Sequence, residues 1–102
     1  MLNDQLTSSI AGIILKYVKS ETGRMTWISD TAGINRREFN RNGLAKMKLH
    51  RVLRIIYALA LCLDEEQFEN LMYDISDSIV EYMEHYDETL LTERKNLYHT
   101  KR

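Results

Sequence analysis

A chain of 102 residues, 44% apolar and 28% charged, is long enough for one domain with a modest core of four or five helices and too short for several domains. It contains no proline to interrupt a helix, no apolar run near the roughly 20 residues of a membrane span, and a single cysteine, which excludes an internal disulfide framework. The net charge of −1 hides a split: residues 1–63 balance at +6, residues 64–93 at −11, and the last nine at +4. A basic surface invites phosphate and an acidic one repels it, so the halves imply different partners. Met1-Leu2-Asn3-Asp4-Gln5 lacks a charged segment followed by an apolar one, and with the lone Cys62 the expected setting is cytoplasmic, without membrane contact.

In chain order, Asn3 or Asp4 can cap a first helix running to about Ser20. Leu6, Ile10, Ile13, Ile14, Tyr17 and Val18 form one apolar stripe at helical spacing, interrupted by Gly12, which suggests close approach of another helix. Residues 21–24 read as a loop. Thr26 can cap a second helix over about 26–32, with Trp27 expected to pack on the core. Gly33 stands where a chain leaving a helix needs a left-handed residue. Ile34 then plugs the corner, and Asn35 caps a short helix over about 36–42 that ends in a loop at Asn42-Gly43. A fourth helix over about 48–61 is expected to turn Leu49, Val52, Leu53, Ile56, Leu59 and Ala60 inward, with Lys48, Arg51 and Arg54 outward. Cys62 reads as a small buried apolar residue.

Asp64-Glu65-Glu66-Gln67 matches a capping box with Asp in the first place. From there Phe68, Met72, Ile75, Ile79, Tyr82 and Tyr86 follow a 4-3-4-3-4 spacing, a heptad seam that Leu71 and Met83 broaden. Ser76-Asp77-Ser78 leaves open whether this is one helix or two. The chain therefore divides into 1–63, a compact helical domain, and 64–102, an acidic helical segment for dimerisation or interaction.

The chemistry concentrates in the third helix. Arg and Asn make bidentate hydrogen bonds to guanine and adenine edges in the major groove. Arg36, Arg37, Asn40 and Arg41 lie opposite Ile34 and Phe39, which makes them candidates for base edges or phosphates, with Asn35 beside them. Lys46, Lys48 and Arg51 are phosphate candidates, which position a protein without reading sequence. Residues 35–54 hold seven basic side chains and one acid, Glu38. His50, His85 and His99 are too widely spaced for a local metal set, and neither a Gly-rich phosphate loop nor a Ser/His/Asp signature is present. No cofactor, metal or catalytic role is expected.

From Ile28 to Phe68 the chain resembles the Cro and phage-repressor type of helix-turn-helix protein, the XRE family. The resemblance is carried by Ala32-Gly33-Ile34 at the turn, Phe39 in the third helix, Leu49 to Leu61 as the fourth, and Leu63-Asp64-Glu65-Glu66-Gln67-Phe68 at the start of the last. Met25 stands where the family has a polar residue and Asn42 where it has an apolar one. The loop from Gly43 to Lys48 is about two residues shorter. The resemblance implies an all-α, five-helix, lambda-repressor-like domain, here with a long C-terminal amphipathic helix. It also implies a regulator, in the main a repressor, that reads double-stranded DNA through helix 36–42. Because the body is too small to cover the far end of the last helix, Ile79, Tyr82, Met83 and Tyr86 are expected to join two copies into a homodimer. The alternative is an antitoxin-like interaction module, whose acidic C-terminal helix binds a basic protein partner.

Overall fold

The computed structural model describes the backbone over residues 4–86 and side chains over residues 5–84. Among the described residues the chain is all-α, with five helices and no strand. No helix among them is long and apolar enough to cross a membrane.

Helix α1, Asp4–Lys19, is the element on which the others pack: α2, α3, α4 and α5 all contact it. Its deepest seam is Ala11, Ile14 and Val18, at i, i+3 and i+7, with Ile10, Ile13 and Tyr17 half-buried beside it. A helix gripped from several sides must bury more than one narrow stripe, which explains its broad apolar sector.

Helix α2, Arg24–Ala32, starts two residues before the expected point, with Gly23 rather than Thr26 at its cap. Arg24 accounts for the shift. Its buried guanidinium donates to the Tyr17 carbonyl (3.0 Å) and the Ser20 hydroxyl (2.7 Å), and pairs with Glu21 at 2.5 Å. It satisfies the carbonyl end of α1, where a cation also suits the helix dipole. Trp27 does not pack on the core: Ile28, Ser29 and Ala32 take the inward positions, and Trp27, one residue off them, is 43% exposed.

The corner forms as its residues predict. Gly33 has φ 68° and ψ 38°, and Ile34 behind it is buried. The N–H groups of Gly33 and Ile34 both donate to the Ser29 carbonyl, and the Ser29 hydroxyl donates to the Ile34 carbonyl.

The helix expected over 36–42 is split. A single 3₁₀ turn, Arg36–Glu38, is followed by Phe39 (φ −83°, ψ 67°) and the extended Asn40, and then by α3, Arg41–Ala45. Two asparagines cause the break, each offering a side-chain oxygen to backbone N–H groups in place of helical carbonyls. Asn35 Oδ1 accepts from Arg37 N (2.9 Å), with Glu38 closing the box back onto Asn35 N. Asn40 Oδ1 accepts from Gly43 N (2.8 Å) and so starts a new helix. Burial of Phe39 and Leu44 holds both pieces down. Asn42 and Gly43 therefore lie inside α3, not in a loop, and a Cβ on Gly43 would collide with the Glu38 carbonyl.

Helix α4, Leu49–Cys62, falls within a residue of its expected bounds, but its inward face is rotated. Ile55, Ala58 and Leu59 are buried, with Val52 and Ile56 partly so. Leu49, Leu53 and Ala60, expected inward, are exposed.

Helix α5, Glu65–Tyr86, runs unbroken through Ser76-Asp77-Ser78. Its capping box forms both bonds, Gln67 N to Asp64 Oδ1 (2.8 Å) and Asp64 N to Gln67 Oε1 (3.2 Å). The inward seam is Phe68, Leu71, Ile75, Ser78 and Tyr82, so Leu71, expected to broaden the seam, lies at its centre, and the expected Met72 and Ile79 are exposed. Tyr17 of α1 donates to Asp74 at 2.8 Å on this face.

Candidate nucleic-acid interface

The basic residues fall into three groups. Arg36 and Arg37 leave the Gly33 corner on the 3₁₀ turn and are exposed. Among the described residues neither is ion-paired. Lys46, Lys48, His50 and Arg51 line an open cleft with Glu38, Gly43 and Met47 where α3 hands over to α4. Arg41 goes elsewhere: its guanidinium lies over Gly12 of α1, in a groove shared with Lys16, Asp74, Asp77 and Glu81. The close approach foreshadowed by Gly12 is thus a side chain rather than a helix backbone.

Glu38 joins the first two groups. Its carboxylate accepts both Arg51 nitrogens, Nη1 to Oε1 and Nη2 to Oε2, each at 2.8 Å. Such a fork-on-fork pair fixes orientation as well as distance. It ties the 3₁₀ turn to the first turn of α4 and neutralises the one acid of residues 35–54. The Arg51 hydrogen bonds hold the Glu38 carboxyl below its usual range, and the same bonds raise the guanidinium.

Three of the expected contact residues have partners within the fold. Asn40 is a cap whose amide also donates to the Arg37 carbonyl (2.8 Å). Arg41 is turned towards α1 and α5. Arg51 is occupied by Glu38 and is not a free phosphate ligand. The side-chain oxygen of Asn35 is engaged in its cap. Arg36, Arg37, Lys46 and Lys48 remain exposed.

The N-terminus of α4 opens at the same place. Lys48 precedes it, and its first turn carries no acid. Free N–H groups and the positive end of a helix dipole favour an anion. The partnership of Glu38 with Arg51 was not legible beforehand, because it needs the 3₁₀ turn docked against the first turn of α4. Of the expected dimer contacts, Ile79 and Met83 are exposed and Tyr82 is half-buried, while the side chain of Tyr86 lies outside the described residues. Cys62 is half-buried, and burial pushes its thiol up, away from the reactive thiolate. Compared with family models, curated proteins and solved structures, the chain has no match.

Proposed function

We propose that this chain binds double-stranded DNA and regulates transcription, with Arg36 and Arg37 at base edges and Lys46, Lys48 and the N-terminus of α4 on phosphates. One observation carries the reading. Two arginines, unpaired among the described residues, lead out of a fixed helix corner, and the carboxylate beside them is already neutralised by Arg51. The corner has the plan of a helix-turn-helix, in which the segment after the turn enters the major groove. Here that segment is a 3₁₀ turn, so the arginines would enter on a corner rather than along a helix face. Base edges specify and phosphates position, so the two groups of residues have separable effects. Two half-sites would take two copies of the chain.

The test is selection from random duplex DNA, followed by binding of the enriched duplex and a scrambled one. Arg36→Ala or Arg37→Ala weakens the enriched duplex by roughly 1–3 kcal/mol and relaxes one base position. Lys48→Ala weakens both duplexes alike and lowers the salt slope by about one unit. If no motif is enriched and binding vanishes at moderate salt, the arginines attract phosphate without reading sequence, and the proposal fails.

A further inference from the structure

The face of α4 that turned out not to be buried is an apolar ridge. Leu49, Leu53, Tyr57 and Leu61 follow one another at four-residue spacing and are 72%, 52%, 65% and 56% exposed. On α5 a second stripe, Met72, Ile79, Val80 and Met83, is between 40% and 44% exposed. The two stripes have matching lengths, about 18 Å and about 17 Å at 1.5 Å per residue. Uncovered, each shows on the order of 400 Å² of apolar surface, comparable with the largest patch on a typical monomer.

We propose that two copies of this chain associate reciprocally, the α4 ridge of each copy lying on the α5 stripe of the other. Charge selects this pairing. Helix α4 carries no acid and, with Arg51 already paired to Glu38, presents the exposed Arg54, whereas α5 carries seven acids and neither Lys nor Arg. Pairing α5 with α5 would bring two acidic helices together, whereas α4 on α5 sets Arg54 of an acid-free helix against those acids around an apolar centre. Area selects it too. Either self-pairing covers roughly 800 Å² in total, short of the about 1,200–2,000 Å² of stable interfaces, and two reciprocal contacts reach roughly 1,600 Å². A two-fold axis demands this reciprocity, since residue i meeting j requires j to meet i. The packing also suits ridges in grooves: the α4 row at i, i+4, i+8 and i+12 can enter the groove on α5 between the row of Met72, Ser76 and Val80 and that of Ile79 and Met83. The association does not depend on DNA, so it is measured without DNA and stands or falls apart from the DNA-binding proposal.

Two double variants of the full chain test it, placing good helix formers at exposed positions. One is Leu53→Glu with Tyr57→Glu on α4; the other is Ile79→Lys with Met83→Lys on α5. Circular dichroism checks that each keeps the wild-type helix content; if one does not, Gln replaces the charged residue. In sedimentation at about 100 μM, wild type runs as a dimer and each variant's dissociation constant rises at least tenfold, about 1.4 kcal/mol by the affinity relation. Mixed one to one, the variants form a heterodimer in native mass spectrometry, because one wild-type α4 still meets one wild-type α5 and the new acids face the new lysines. A monomeric wild type overturns the proposal. So does an α4 variant or an α5 variant that dimerises like wild type, or a mixture that stays monomeric.

Discussion

Ser29, Gly33 and Ile34 fix the direction in which Arg36 and Arg37 leave the body, through backbone and hydroxyl bonds that close on one another. A left-handed φ of 68° costs an L-residue roughly 1–2 kcal/mol, so glycine is the residue that fits. Glu38 acts one step further on, as the residue that positions Arg51. Because its folded carboxyl is held below the ordinary value of 4.5, the pair contributes its full stability above that value and loses it as pH falls through the lowered one. Unfolding midpoints in urea across the acid range check this. Wild type is the more stable at neutral pH, and its advantage over Glu38→Gln shrinks as pH drops below 4.5. A constant gap at every pH would mean that the carboxylate charge is not what holds the turn to α4.

At the level of elements, the split between the 3₁₀ turn and α3 gives Asn40 the role of a cap. Removing such a cap costs about 1 kcal/mol, within roughly 0.5–2. For a domain of this size that is a drop of about 4–8 °C in melting temperature. Asn40→Ala therefore lowers the melting temperature while leaving the order of preference among duplexes unchanged. Arg36→Ala does the reverse, because its exposed side chain supports nothing in the fold. Loss of base preference in Asn40→Ala without a melting shift would return Asn40 to the contact surface.

For the whole molecule, α1 rather than the corner is the organising element, and α5 completes its core. Leu71 and Ile75 lie in the same buried cluster as Ile14, Val18 and Ile55, so the first half of α5 belongs to the body. The register is testable. Leu71→Ala leaves a cavity at a fully buried position and costs about 2–5 kcal/mol. Met72→Ala, 41% exposed, changes stability by no more than about 0.5 kcal/mol in dilute protein. The opposite ranking would restore the seam through Met72 and Ile79.

Local chemistry was legible without the structure. The left-handed glycine at 33, the Asn35 cap, the box of Asp64 and Gln67 and the five-helix plan each depend on residues within four positions of one another, where backbone geometry and a few hydrogen bonds decide. What the sequence could not rank was which of several apolar residues faces inward. Both α4 and α5 are apolar over a wide sector, so periodicity allows several rotations, and only contact with α1 and α2 chooses among them. That choice exposed Leu49 and Leu53 and buried Leu71. Long-range partners were equally hidden: Arg51 finds Glu38 thirteen residues away, Tyr17 finds Asp74 fifty-seven away, and Arg41 lies against Gly12. No spacing rule reaches that far, because such pairs exist only once the helices have docked.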